Sequence, residues 1–462
     1  MQLKVFKLFT ILFVVGALVS CQPKTKPESN QEQVITGQQL PNPDWVKDAV
    51  LYEVNIRQYT PEGTFKAFAE HLPRLKDLGV DILWIMPIHP ISEKNRKGAL
   101  GSYYAVKDYK GINPEFGTMA DFKNLVNEAH DLGFKVIIDW VANHTGWDNQ
   151  WIFDHPEWYT KDSTGAIIAP NPDWSDIADL NFDVQPMRRA MIDAMDFWLE
   201  EANIDGFRCD VAWGVPQDFW EEARASFDSI KPIYMLAEDE DHPGLLKYAF
   251  ESNYTWKLHH MMNAVAKGEQ TVQDLRNYFI EMDEEQYTPG SFPMQFITNH
   301  DENSWAGTVN QRMGDAADAF AVFSFTVPGI PLIYSGQEAG LDKQLAFFEK
   351  DEIDWSKLDK SDFYRRLIEL KKTNEALWNG LDGGDLKLLN TNHNDQVFAF
   401  TREKNANKLL IIMNFSDHPV VSDIEFDVRE EYDGIWEDSK LVVEEKESIE
   451  LQAWEYKIYR RL

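Results

Sequence analysis

Positive charge is scarce in this chain of 462 residues: 45 Lys and Arg stand against 77 Asp and Glu, for a net charge of -32. Binding to a phosphate backbone needs clustered Lys and Arg, so this composition speaks against nucleic acid as a partner. It speaks equally against an electrostatic grip on anionic lipid. Cysteine is almost missing, with only Cys21 and Cys209. The first ends a leader and the second lies in an apolar segment, so no disulfide framework is expected. Beyond the leader there is no apolar run long enough to cross a bilayer. Internal repeats and low-complexity blocks are absent too. What is present is ordinary for a globular chain: 44% apolar and 26% charged residues, enough for a large core and more than one domain.

The first residues read as a targeting segment. Lys4 and Lys7 precede a nearly unbroken apolar run from Leu8 to Val19. That run is short for a membrane span and suits a signal-peptide core. It ends Leu18-Val19-Ser20-Cys21, which resembles a bacterial lipobox. The resemblance implies a signal peptide over 1–20, lipid on Cys21, and stable anchoring of an exported protein to a bacterial membrane through its acyl chains. Gln22 rather than Asp after the cysteine fits outer-membrane sorting, facing periplasm or exterior. Residues 21–44 are polar and rich in Pro, Lys, Glu, Ser and Gln, and read as a flexible tether.

From about Asp48 short β-branched runs alternate with helical patterns. Strands are expected over Val50–Gln58, Asp81–Pro87, Lys135–Val141, Gly206–Asp210, Ile233–Glu238, Phe250–Thr255, Met294–Asn299 and Ile330–Ser335. Most are apolar on both faces, as parallel strands buried on both sides should be. Helices are expected over Thr64–Leu78, Thr118–Leu132, Pro186–Glu201 and Ser361–Lys372. The pattern implies an α/β fold, a (β/α)8 barrel or a large doubly wound sheet, over 45–378. Two connections are too long for plain turns, Ile88–Gly117 and His144–Gln185, and such loops are usually functional. After about Gly380 the segments Leu386–Leu389, Val397–Arg402, Lys408–Asn414 and Ala453–Tyr459 read as short strands. They imply a separate antiparallel β domain over 379–462.

Polar residues end the strands in a telling way. The third runs into Asp139, Asn143 and His144. The fourth ends Gly206-Phe-Arg208-Cys-Asp210, the fifth at Glu238, and the seventh at His300-Asp301. A carboxylate closing an apolar strand is costly unless it is solvated, paired or used. Four such ends on one side of one barrel would gather these charges. Glycoside hydrolysis needs that gathering: one carboxylate at the anomeric carbon, and one protonated acid for the leaving oxygen. Like charges held together also help to raise the pKa of the acid.

These four segments, in this order, resemble the four signature regions of glycoside hydrolase family 13, the α-amylase family. The resemblance covers about residues 48 to 462. It implies a TIM barrel with a short domain B at about 144–185 after the third strand and a C-terminal β-sandwich. It also implies a retaining enzyme on α-glucans, cleaving α-1,4 links of starch-type or malto-oligosaccharides. Asp210 would be the nucleophile, Glu238 the general acid and base, and Asp301 the residue that binds the sugar at the cleavage point. Arg208 would hold Asp210 ionised. His144 and His300 would donate to the same sugar, and Tyr104 would stack on it. Asp108, four residues on, matches a supporting acidic position, and Asp139 would organise the site through Arg208 or nearby groups rather than react.

The chain departs from the family pattern after the nucleophile. Calcium-binding members carry a Lys-His pair there, whereas this chain reads Asp210-Val-Ala-Trp213-Gly214. Asn143 matches one calcium-ligand position, but one oxygen does not make a site of six to eight; no cofactor is required, and calcium at Asn143 is the one metal the resemblance leaves open. Val211 is nearer to neopullulanase and oligo-1,6-glucosidase types. The alternatives are therefore cyclomaltodextrinase, neopullulanase or oligo-1,6-glucosidase specificity, α-glucan transglycosylation, and a non-catalytic glycan-binding lipoprotein. Oligomeric state is left open.

Overall fold

A computed structural model describes residues 42–282 and 287–462. The signal segment, Cys21 and nearly all of the expected tether lie outside the described residues. The tether's expected end is ordered: Asp44–Val46 already forms a 3-10 turn with Val46 buried. Among the described residues no helix is long and apolar enough to cross a membrane.

Eight parallel strands close into a barrel: Leu51–Val54, Ile82–Ile85, Lys135–Val141, Gly206–Asp210, Tyr234–Ala237, Ser252–Tyr254, Phe292–Gln295 and Ile330–Tyr334. The open, doubly wound alternative is thereby set aside. Every strand is buried along nearly its whole length, which explains the continuous apolar runs. Alternate residues fill the barrel interior, among them Leu51, Ile82, Trp84, Ile137, Tyr234, Leu236, Tyr254 and Met294. Gly206 opens the fourth strand with φ 151°, and a Cβ there would stand 1.9 Å from the carbonyl oxygen of Tyr234. Only glycine lets these two strands close.

Three expected boundaries shift. The first strand stops at Val54, and Ile56–Tyr59 turns helical. The seventh spans Phe292–Gln295 rather than Met294–Asn299, so His300 and Asp301 lie beyond it, just before a π-helical turn at Glu302–Ala306. The helix expected over Thr64–Leu78 is two helices, Phe65–Ala69 and Leu72–Leu78. Pro73 lacks the N–H that would continue the first one, and it sits in the first turn of the second.

The long connection after the third strand forms a small excursion, pinned by antiparallel pairing of His144–Gly146 with Ile177–Asp179. After the last barrel helix, Ser361–Thr373, come eight antiparallel strands from Asp385 to Arg461, in a six-stranded and a two-stranded sheet. The apolar core runs from the barrel into this domain: Phe320 stacks on Phe415 at 4.4 Å. Buried Arg402 reaches across to the carbonyl oxygen of Thr326 at 2.8 Å.

Candidate active site

Strand parity explains why polar side chains meet at one end of the barrel. Side chains alternate between the two faces of a strand. In the paired register Glu53 lies beside Trp84, and Asp139 beside Arg208. These residues continue the inward series that begins with Leu51, Ile82 and Ile137. The lower interior is thus apolar and the upper interior ionic.

Arg208 organises the upper layer. It is fully buried. Its Nη1 donates to Asp139 Oδ1 at 2.9 Å and to Asp210 Oδ1 at 3.0 Å. Its Nη2 lies 3.0 Å from Glu238 Oε2, and its Nε donates to the Tyr254 hydroxyl at 3.1 Å. One guanidinium therefore gathers three carboxylates, Asp139 and Asp210 by hydrogen bonds and Glu238 by charge, a reach that a lysine's point charge does not have.

The three carboxylates are not equivalent. Both oxygens of Asp139 are occupied: Oδ1 by Arg208, and Oδ2 by the Trp84 indole and the Tyr104 hydroxyl, each at 3.1 Å. Asp210 gives one oxygen to Arg208 by hydrogen bond, and Glu238 faces it with one oxygen as an ion pair. Glu238 Oε2 also accepts the Val211 N–H at 2.8 Å. Among the described residues no protein partner takes Asp210 Oδ2 or Glu238 Oε1. Val211 holds φ 45°, the left-handed region, which is unusual for a β-branched residue. That twist aims its N–H at Glu238, so strain is spent where a carboxylate must be placed.

Charge is unbalanced here, and the protons respond. Burial, then the neighbouring Glu238 carboxylate, push Asp210 well above the usual carboxylate range, against Arg208. Burial also pushes Glu238 up, opposed by Arg208 and reinforced by Asp301. Such a cluster titrates as a unit and keeps a proton where isolated carboxylates have lost theirs.

The remaining expected residues lie around this core. His300 Nε2 lies 2.7 Å from the Tyr104 hydroxyl and 3.3 Å from Asp301 Oδ2. The Tyr104 ring stacks over His300 at 5.6 Å. Asp301 is the open member of the group, its side chain 32% exposed. His144 is buried; its Nε2 makes no well-aligned hydrogen bond, and the Tyr104 backbone beside the ring favours its charged form. Burial pushes its pKa down to about 3, so the ring is neutral at ordinary pH. Asp108 is not brought in: it sits exposed in a turn and accepts the Lys110 N–H at 2.9 Å.

Asn143 is engaged locally. Its amide nitrogen lies 3.3 Å from His144 Nδ1, and its Oδ1 faces the close-packed backbone of Gly214. Among the described residues no group of three or more His, Cys, Asp or Glu could hold a metal.

Sequence reasoning overlooked three members of the cluster: Glu53, Trp84 and Tyr254. Glu53 also closes an apolar strand, so the rule that found the other carboxylates would have found it had the first strand been ended at Val54.

The α-amylase catalytic-domain model matches residues 24–165 and 153–376, and the α-amylase C-terminal all-β domain model matches residues 389–452. α-Amylase MalA of Haloarcula japonica is 30% identical over 400 residues, covering 82% of this chain. This chain spans only 57% of that protein's length. Among solved structures, a maltogenic α-amylase of Thermotoga neapolitana is 28% identical with a TM-score of 0.83, covering 90% of this chain and 99% of its own. An α-amylase of Lactobacillus plantarum is 30% identical with a TM-score of 0.79, covering 90% and 100%. A family model that spans most of the barrel, a second that matches the C-terminal sheet, and a cluster of carboxylates where the strands end all agree: this chain belongs to the α-amylase family.

Proposed function

We propose that the protein hydrolyses α-glucans with retention of configuration, acting on α-1,4 links of malto-oligosaccharides. The observation that carries this is the Arg208 fork, which leaves one oxygen clear on Asp210 and one on Glu238. Asp210 Oδ2 attacks the anomeric carbon, while Glu238 Oε1 delivers its proton to the departing glycosidic oxygen. A covalent glycosyl-enzyme results. Glu238, now a carboxylate, takes a proton from water, which attacks the same carbon and releases Asp210. His144 Nε2, with His300 and Asp301, meets the sugar hydroxyls. A buried polar atom without a well-aligned hydrogen bond is uncommon, and a bound hydroxyl would supply one here. The first test is incubation of the soluble form that starts after Cys21 with maltoheptaose, pullulan and panose. Cutting by wild type, with a loss of about 10^4-fold or more in Asp210→Asn, is the expected result. Folded wild-type protein that releases no sugar from any of the three would overturn it.

One observation favours a second reading, transfer to a sugar acceptor. Trp213 follows the Asp210 strand end in a short turn at the mouth and is 57% exposed. An exposed indole offers a face on which a sugar ring can stack. Longer products from maltotriose, resolved by chromatography, would show transfer.

We also propose that the chain is exported and held at a membrane by lipid on Cys21, a reading supported by Leu18-Val19-Ser20-Cys21. Labelled palmitate should enter the full chain in a bacterial host and not Cys21→Ala. Equal labelling of both would exclude it.

A further inference from the structure

Glu53 stands in the first strand, fully buried, and its side chain bonds to His300. Its Oε1 lies 2.5 Å from His300 Nδ1. Its Oε2 is buried without a partner. Its backbone carbonyl accepts the Ser335 N–H at 3.1 Å, so the strand cannot slide away from the eighth. A buried carboxylate with an empty oxygen is expensive. Glutamine would fill the same space at lower cost, so the charge itself calls for an explanation.

The hydrogen-bond directions around His300 supply one. Burial pushes Glu53 up, and the His300 contact opposes that shift; as a carboxylate Glu53 only accepts, and the proton between the two then belongs to Nδ1. The Tyr104 hydroxyl has a single proton, and it donates that proton to Asp139 Oδ2. The 2.7 Å contact between Tyr104 and His300 must therefore be made by a proton on Nε2. Asp301 Oδ2, at 3.3 Å from the same nitrogen, likewise only accepts. With Glu53 and Asp139 as carboxylates, both ring nitrogens are donors and the imidazole is charged.

We propose that Glu53 is a positioning residue that keeps His300 a doubly protonated donor, its Nε2–H aimed at Tyr104 and Asp301 beside the sugar site. It acts through His300 and does not touch substrate. This rests on the hydrolase reading above for its catalytic part only. Glu53, Tyr104, Asp139, Arg208, Glu238 and Asp301 all bear on this ring. Burial opposes its charge, but Asp301 and Glu53 outweigh burial and push His300 up to about 9. The Trp84 ring, edge-on at 6.0 Å, closes off its remaining side.

The experiment uses the chain from Gln22 onward, wild type, Glu53→Gln and Glu53→Leu, each labelled with nitrogen-15 in histidine. The His300 ring signals are identified by their loss in His300→Asn. Wild type should show both ring nitrogens protonated through neutral pH. Glu53→Gln keeps an acceptor of the same shape and removes only the charge. Its His300 should lose a proton near neutral pH, and kcat/KM on maltoheptaose should fall about 10- to 100-fold, with the alkaline limb moved to lower pH. Glu53→Leu should lose more, and its fold is checked by circular dichroism. His300 titrating in Glu53→Gln as in wild type would overturn the proposal, as would wild-type kcat, KM and pH profile in that variant. If wild type cuts no glucan, the hydrolase reading fails alone, because the nitrogen signals still test the link between Glu53 and His300.

Discussion

The two ends of this barrel treat acidic residues in opposite ways. At the end where strands begin, each aspartate has its own cation and its own backbone amide. Asp81 accepts from Lys372 Nζ at 2.6 Å and from the Val50 N–H at 3.0 Å. Asp205 accepts from His130 Nε2 at 2.6 Å, Lys135 Nζ at 3.2 Å and the Val136 N–H at 2.9 Å. Burial works against both charges: at Asp205 His130 and the Val136 amide outweigh it and hold the carboxyl below its ordinary range, while at Asp81 burial outweighs Lys372 and the Val50 amide and pushes the carboxyl up. At the end where strands stop, Asp139, Asp210 and Glu238 share one guanidinium, and all three are pushed up. The residue type is the same at both ends. One arrangement satisfies charge and so supports the fold; the other leaves charge unsatisfied, with oxygens to spare for a reacting molecule. That division matches the general rule that barrel chemistry sits at the strands' C-terminal ends.

The largest expected effect tests the sharing. Arg208→Lys keeps the positive charge but cannot set three carboxylates. Steady-state kinetics on maltoheptaose should show kcat lower by about 10^3-fold, the scale of losing a preorganised electrostatic group. Activity within a few-fold of wild type would mean that the fork is not needed.

The next effect belongs to the other end. Asp205→Asn leaves buried hydrogen-bond donors unmet and should cost about 2–4 kcal/mol in urea unfolding, with kcat unchanged. The folded carboxyl has a depressed pKa, so its contribution is present above the unfolded pKa of about 3.9 and fades as pH falls through the lower folded value. The stability gap between wild type and variant should therefore close in acid. A variant as stable as wild type at neutral pH, or one with a lowered kcat, would break the contrast.

A third expectation concerns pH and rate. The general acid must hold its proton, and Glu238 is pushed up chiefly by burial. The alkaline limb of kcat/KM should therefore lie above the ordinary Glu value, with activity falling as pH rises through it. A limb at or below about 4.3, the value of a free Glu, would exclude Glu238 as the acid. The smallest effect is Asp108→Ala, which should change both activity and unfolding within about 0.5 kcal/mol, since this residue serves only its own exposed turn.

Much of this division is legible in the residues alone. Asp210 and Glu238 stand out because each closes an apolar strand, and Asp139 because it lies inside one, arrangements physics penalises unless the charge is used. Eight such runs also mark the barrel. Legibility fails where a neighbour in space decides the outcome. Glu53 was hidden because Val50–Gln58 reads as one strand, while the chain turns helical at Ile56. The seventh strand slipped because Phe296 and Ile297 continue its apolar run after the pairing ends at Gln295. In the C-terminal sheet Glu430–Gly434 buries only Tyr432, too little apolar signal to mark a strand. Which oxygen of Asp139 or Glu238 is occupied is a matter of three-dimensional geometry and leaves no trace in the residue order.

The central claim is that Asp210 attacks and Glu238 supplies the proton. Its most direct test is mass spectrometry of the Glu238→Gln protein after reaction with a fluorinated maltosyl fluoride, whose fluoride leaves without acid help. A maltosyl adduct on the peptide carrying Asp210, absent in the double variant with Asp210→Asn, is the expected result. An adduct on another residue, or turnover with no adduct and an inverted first product, would contradict it.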